Sequence, residues 1–156
     1  MRVGFDLDGV LCGINVGVLR IIDNIQRGDV KRSSEEWYYR ERKPLLNPHF
    51  FLSEKDEMFI ITSRSERLSH ITKTWVRHFF GNRVTEKRLI IVSHETKKLG
   101  NSKMQVNKWL REMGEKKAKT INKLELDVYF EDSPETVQVL RKLCPNTKII
   151  HYGGRL

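Results

Sequence analysis

The sequence has few cysteines and no long apolar run, and each absence argues against a class of protein. Its two cysteines, Cys12 and Cys144, lie far apart, so a disulfide framework like those of small secreted domains is not expected. No apolar run reaches the ~20 residues of a membrane-spanning helix. The first residues, MRVGFDLDG, contain neither a long apolar segment nor a small-residue cleavage site, unlike a signal peptide. We therefore expect a globular, cytoplasmic protein that does not bind membranes.

Acidic residues are scarce relative to basic ones. The chain contains 20 Asp and Glu against 29 Lys and Arg, which gives a formal net charge of +9. Such an excess favours an anionic partner, for example a nucleotide, another small phosphate ester or nucleic acid. A basic surface that is simply solvated explains the same excess, because the lysines are scattered along the chain. The length of 156 residues suits a single domain, 1–156.

Short apolar runs alternate with helical patterns along the chain. Five runs lack polar alternation and are rich in β-branched or aromatic residues, as in strands buried on both faces. They are RVGFDL (2–7), MFIIT (58–62), RLIIV (88–92), DVYFE (127–131) and KIIHY (148–152). Apolar residues recur on one helical face in 66–80 and 103–113, and Ser-Pro-Glu supplies a cap, a first-turn proline and a first-turn acid for a helix at 134–143. The alternation predicts an α/β fold with a parallel sheet.

Two parts of this pattern carry further expectations. Gly114 follows the pattern of 103–113, so the connection to the fourth strand is expected to contain two helices. Residues 12–57 are too long for a simple crossover, and we interpret them as a small cap inserted after the first strand. Within them, apolar residues from Ile14 to Ile25 predict an amphipathic helix that ends at Gly28. Extra packing without a role in binding is the alternative for this insertion.

Two acids stand two residues apart at the end of the first predicted strand. Ligands of open α/β sheets bind beyond the carboxyl ends of the strands, where Asp6 and Asp8 lie. Side chains at i and i+2 lie on the same side, roughly 6–7 Å apart, which leaves room for a phosphoryl group. Mg²⁺ would relieve their repulsion, and Gly9 would let the backbone turn close to a ligand. Solvated acids in a turn are the alternative reading.

Polar residues also follow the second predicted strand, in IITSR (60–64). Ser63 and Glu66 fit a capping box, whose helix start would offer backbone N–H groups to an anion. Thr62 would then be free to donate its hydroxyl to a phosphate oxygen, and we place Ser63 and Arg64 among the candidate substrate-binding residues with Gly9. A simple helix cap explains the same residues.

The fourth predicted strand ends in two further acids, and a lysine is needed to balance the charge. Asp132 is positioned to bind a metal, with Glu131 as a supporting neighbour. In GEKKAKTINKLELD (114–127), Lys117 lies within roughly 40° of the centre of the buried stripe, whereas Lys119 lies about 160° away. Helical geometry therefore favours Lys117 as the core-facing lysine, although any one of these lysines could belong to a solvated face.

Taken together, these segments resemble the haloacid dehalogenase superfamily, whose members are mostly phosphatases and include 5′-nucleotidases and polynucleotide 3′-phosphatases. DLDGV resembles its first motif, the end of IITS its second, Lys117 its third and EDSP its acidic fourth, and together they span residues 5 to 135. DGV stands where DGT is more usual. The resemblance implies a Rossmann-like three-layer sandwich with a five-stranded parallel sheet in the order 5-4-1-2-3.

The resemblance also implies roles for the candidate residues. Asp6 would attack phosphorus, and Asp8 would protonate the leaving alcohol and then activate water. Mg²⁺ would be held by Asp6, Asp132 and the backbone carbonyl of Asp8, while Thr62 and Lys117 would hold phosphate oxygens. The expected activity is therefore Mg²⁺-dependent hydrolysis of a phosphomonoester.

The substrate is less well defined by the sequence. WYYRERK (37–43) offers rings for stacking and cations for phosphate, which favours a nucleotide or a nucleic-acid end over a sugar phosphate. Adjacent residues of a helix point in different directions, so Trp37, Tyr38 and Tyr39 are not expected to face one ligand together. The alternatives are a sugar-phosphate phosphatase or mutase, and a basic nucleic-acid-binding module without activity. Trp109 is expected to belong to the core rather than to a dimer surface.

Overall fold

A five-stranded parallel sheet organises the chain. The computed structural model describes residues 1–93 and 102–153. The strands are β1 (Arg2–Phe5), β2 (Glu57–Thr62), β3 (Leu89–Ile91), β4 (Val128–Glu131) and β5 (Lys148–His151). They pair in parallel in the order β3-β2-β1-β4-β5, which is the expected order 5-4-1-2-3 read from the opposite edge. The predicted Rossmann-like α/β fold is confirmed.

Helices cover both faces of this sheet. They are α1 (Val16–Asp23), α2 (Gly28–Arg40), α3 (Ser69–Phe80), α4 (Lys103–Lys123) and α5 (Pro134–Leu143). Strand β2 shows why there are three layers. Met58 and Ile60 belong to the apolar cluster that contains Trp75 of α3, whereas Phe59 and Ile61 belong to the cluster beneath α4 and α5. Alternate side chains of this buried strand thus pack against helices on opposite faces of the sheet.

The expected break at Gly114 is wrong, since α4 runs without interruption from Lys103 to Lys123. Gly114 is buried against α5, and a Cβ on it would lie 3.1 Å from Cβ of Val139. The glycine therefore allows two helices to approach closely instead of ending one of them. Helix α4 begins at a capping box that Ser102 and Gln105 form.

Two other expected helix boundaries are also wrong. Helix α1 ends at Asp23, and Gly28 begins α2 rather than ending the helix before it. Ser63 was predicted to be the N-cap of the following helix. The helical turn before α3 instead begins at Glu66, and Ser65 is its N-cap. Within the described ranges, no helix is both long and apolar enough to cross a membrane.

Candidate active site

The carboxyl ends of β1, β2 and β4 meet at one edge of the sheet, where they border a cavity of about 970 Å³. Pairing of the central strands brings this about, since β1 lies between β2 and β4. The register continues just past β1, where the backbone N–H of Asp6 donates to the carbonyl of Phe130 at 2.8 Å. The chain that follows β1 therefore lies against the chain that follows β4.

Lys117 joins the acids of these two strand ends. Its Nζ lies 3.0 Å from Oδ1 of Asp6 and 2.7 Å from Oε2 of Glu131. The lysine is 2% exposed, whereas Lys119 on the opposite face of α4 is exposed. An uninterrupted α4 can carry this ammonium to the strand ends because its buried face continues through Met113, Lys117 and Ile121.

Asp6 and Glu131 share this ammonium, and Asp132 brings a third carboxylate close to them. Asp6, Glu131 and Asp132 each offer an oxygen, and these three oxygens lie within 4.8 Å of one another. Burial and the nearby Glu131 raise the pKa of Asp6 to about 8, although Lys117 acts in the opposite direction. Burial and the charge of Asp6 raise the pKa of Asp132 to about 6. Among the residues that the structure describes, negative charge thus exceeds positive charge here.

This donor set fits a divalent cation. Carboxylate oxygens are the ligands that Mg²⁺ prefers, and an added cation would compensate the excess negative charge. Both oxygens of Glu131 already have partners, because Oε2 binds Lys117 and Oε1 accepts from the backbone N–H of Ser133 at 3.3 Å. Asp6 and Asp132 are therefore the side chains available to a metal, with Glu131 supporting the ammonium beside them.

Gly9 allows the first and fourth strand ends to approach each other this closely. Its φ is +86°, in the region that favours glycine, and a Cβ there would lie 2.1 Å from Oδ2 of Asp132. The expected close approach therefore occurs, and its partner is the carboxylate of Asp132. Any larger residue would displace one of the proposed metal ligands.

Asp8 has a different environment from Asp6. Arg64 holds its carboxylate with two bonds, Nε to Oδ2 at 3.0 Å and Nη2 to Oδ1 at 2.5 Å. The thiol of Cys12 donates to the same Oδ1 at 3.2 Å. Burial alone would raise the pKa of Asp8, but Arg64 outweighs burial and holds that pKa below its ordinary value. The free protein therefore keeps Asp8 ionised and fixed in orientation.

Arg64, predicted to bind substrate, lines the cavity and also has internal partners. Besides Asp8, it donates from Nη1 to Oγ1 of Thr72 at 3.1 Å, and its Cζ lies 4.5 Å from the centroid of the Tyr39 ring. Only 5% of the residue is exposed. The guanidinium thus serves to position Asp8. The sequence did not indicate this role, because the partners of Arg64 come from α2, from α3 and from the loop after β1.

Thr62, the last residue of β2, and Ser63 directly after it have different surroundings. Thr62 is 1% exposed, and its Oγ1 accepts from the backbone N–H of Arg64 at 3.1 Å. Among the described residues that line the cavity, Ser63 is present and Thr62 is not. Ser93 was missed: it lines the cavity and donates to the carbonyl of Arg64 at 2.7 Å. Its position directly after RLIIV was the available signal.

The remaining wall of the cavity is largely apolar and aromatic. Segment 12–57 contributes Ile14, Leu19 and Tyr39, and α4 contributes Trp109, Leu110 and Met113. Trp109 is half-buried and packs against the core while also lining the cavity. The three adjacent aromatics of α2 diverge as predicted: Trp37 is 56% exposed, Tyr38 is buried and Tyr39 faces the site. A planar apolar group could therefore lie beside the acids.

Comparison with known proteins identifies the fold without identifying the function. No family model and no curated protein matches the sequence. Among solved structures, the chain is similar to a haloacid dehalogenase-like protein of unknown function from Agrobacterium tumefaciens strain C58. The TM-score is 0.56 at 13% identity, and the match covers 96% of this chain and 81% of the other. The fold is thus that of a haloacid dehalogenase-like protein.

Proposed function

We propose that the chain is a phosphatase of the haloacid dehalogenase superfamily that hydrolyses phosphomonoesters through an aspartyl-phosphate. The observation that carries this proposal is the convergence of Asp6, Asp132 and Lys117 at one end of a cavity on a haloacid dehalogenase-like fold. Phosphoryl transfer depends mainly on positioning and on charge compensation. This site supplies both positioning and charge compensation, since a carboxylate nucleophile and a buried ammonium are in contact beside a candidate cation site.

Two steps follow from the positions of Asp6 and Asp8. In the first, an oxygen of Asp6 attacks phosphorus, the phosphorus–oxygen bond to the alcohol breaks, and Asp8 gives a proton to the leaving oxygen. In the second, Asp8 takes a proton from water and the water oxygen bonds to phosphorus. The bond between phosphorus and the Asp6 oxygen breaks, which frees the Asp6 carboxylate and inorganic phosphate. Asp8 is ionised in the free protein, so the negative charge of the phosphate must raise its proton affinity before the first step.

A cation completes the charge balance of the site. Bound Mg²⁺ would compensate the negative charge of the phosphoryl group and lower the pKa of the nucleophile Asp6. Asp6, Asp132 and the backbone carbonyl of Asp8 are the groups proposed to hold it. Lys117, already fixed between Asp6 and Glu131, acts to lower the pKa of the nucleophile and offers positive charge to a phosphate oxygen.

A nucleotide or a nucleic-acid end is the substrate class that the cavity supports best. The aromatic residues Tyr39 and Trp109 line its wall beyond the acids, and the chain carries a net charge of +9. Both features suit a phosphate attached to a base-bearing group more than a phosphate attached to a polar sugar. Release of inorganic phosphate, rather than transfer to a second hydroxyl, separates this proposal from a mutase.

Replacement of the nucleophile tests the proposal directly. Asp6→Asn is expected to lower Mg²⁺-dependent phosphate release from an aryl phosphate by roughly 10⁴-fold or more, since no covalent intermediate can form. The fold should persist, because the change removes a charge from an acid-rich buried site. Asp29→Asn, at an exposed acid of α2, is the matched control and should retain activity. Full activity of Asp6→Asn would contradict the proposal.

A further inference from the structure

A second cavity, of about 480 Å³, lies between the chain after α2 and one face of α3. Arg40, Arg42 and Lys43 line one side of it, and His70, His78 and Phe79 line the other. Glu41 is the acidic residue among the described lining residues, so positive charge predominates. Neither Arg40 nor Lys43 forms an ion pair within the ranges that the structure describes, and both side chains are exposed.

This second cavity adjoins the loop that carries Asp8. The guanidinium of Arg42 lies over the Tyr38 ring, with Cζ 4.2 Å from its centroid, and Nη2 lies 3.6 Å from the place of a Cβ on Gly13. Trp75 Nε1 donates to the carbonyl of Arg42 at 2.7 Å. These contacts hold the segment after α2 against α3 and against the chain that follows Asp8.

The floor of the second cavity is aromatic. Phe79 packs against Trp75 with ring centroids 4.7 Å apart, and the ring of His78 meets Phe79 edge-on at the same centroid distance. Cations beside aromatic side chains that line a groove are the combination with which proteins bind single strands, through phosphate contacts and base stacking. An acidic peptide would use the cations alone. The chemistry of the cavity thus favours a single-stranded nucleic acid.

We propose that the second cavity binds the part of a single-stranded nucleic acid that adjoins its terminal phosphate, so that the preferred substrate is a strand end rather than a mononucleotide. This inference rests on the proposed function for its catalytic part. The binding part stands alone, because Arg40, Lys43 and Phe79 lie outside the proposed catalytic group.

Binding can be measured without catalysis. We would follow the fluorescence anisotropy of a labelled, unphosphorylated oligodeoxynucleotide of about ten nucleotides, in EDTA and at several salt concentrations. Arg40→Ala with Lys43→Ala is expected to weaken binding roughly tenfold. The slope of the logarithm of the binding constant against the logarithm of the salt concentration should become shallower by about 1.4, since each phosphate contact of a single strand contributes about 0.7 to that slope. Lys123→Ala with Lys148→Ala is the charge-matched control, at exposed lysines near the opposite edge of the sheet.

Three results would overturn the inference: equal binding by the Arg40/Lys43 variant and wild type, equal loss in the control pair, or equal competition by a poly-glutamate peptide. Turnover then separates this inference from the proposed function. With Mg²⁺, the Arg40/Lys43 variant should lose kcat/KM on the phosphorylated oligonucleotide and keep it on the mononucleotide. If neither substrate is hydrolysed by wild type, the proposed function fails while the binding result remains valid.

Discussion

Asp6 and Asp8 belong to one short motif, yet their surroundings differ in the balance of charge. Around Asp6, Glu131 shares the ammonium of Lys117 and Asp132 adds a third carboxylate nearby, and the pKa of Asp6 rises to about 8. Around Asp8, one guanidinium is matched to one carboxylate, and the pKa of Asp8 falls below its ordinary value. Asp6 is buried, whereas 26% of the Asp8 side chain is exposed. Desolvation acts to raise the pKa of both acids, so the opposite directions of their shifts come from their charged partners. An acid-rich environment suits a cation site, whereas a matched pair fixes an orientation.

The largest expected effect comes from removal of the ammonium on the Asp6 side. Lys117→Met leaves Asp6 and Glu131 buried without a cation, and we expect the free energy of unfolding in EDTA to fall by about 3–5 kcal/mol. Lys119→Met removes an exposed lysine of the same helix and should change that free energy by less than about 0.5 kcal/mol. Chemical denaturation of the two variants measures the difference. Equal, small effects would mean that the acids around Asp6 do not depend on Lys117.

Sequence reasoning was most successful where local pattern and strand order decide the outcome. Apolar runs located all five strands, and helical phase separated Lys117 from Lys119, because burial of one helical face is a periodic property. The surroundings of Asp6 are predictable from such patterns, whereas those of Asp8 are not. The contacts of Asp6 come from strand ends that a parallel sheet must bring together.

The surroundings of Asp8 could not be predicted in the same way. Arg64 reaches Asp8 across the sheet edge, and Tyr39 reaches Arg64 from a helix in the 12–57 segment. Such contacts depend on how that segment packs, which periodicity does not determine. The predicted helix break at Gly114 was wrong for a similar reason. The buried contact of Gly114 with Val139 depends on how two helices pack, which neither sequence pattern shows.

The pH dependence of stability should differ in sign between the two acids. Because the pKa of Asp6 rises from 3.8 in the unfolded chain to about 8 in the fold, the folded state binds more protons between those values. The free energy of unfolding in EDTA should therefore fall as pH rises through this window, with a slope of at most about 1.4 kcal/mol per pH unit from this group. Asp6→Asn should flatten the slope, as measured by denaturation at several pH values.

Asp8→Asn is the matched control for this measurement. A depressed pKa contributes stability that is present above the unfolded value of 3.8 and is lost as pH falls through the folded value. Its removal should leave the slope between about pH 5 and 8 unchanged, because Asp8 is ionised in both states there. If Asp8→Asn flattens that slope as much as Asp6→Asn does, the two carboxylates do not have the opposite environments described above.

The smallest expected effect lies at the outer edge of the Asp8 side, where the Tyr39 ring covers Arg64. Tyr39→Leu removes the cation–π contact, and we expect the free energy of unfolding to fall by about 0.5–1 kcal/mol, since such contacts contribute this much near the surface. Tyr39→Phe keeps the ring and should behave as wild type in the same denaturation experiment. A loss in Tyr39→Phe equal to that in Tyr39→Leu would assign the effect to the hydroxyl. The order of these effects follows from the structure: Lys117 compensates buried charge that pairs with no other cation among the described residues, whereas Tyr39 only shields a charge pair that is already matched.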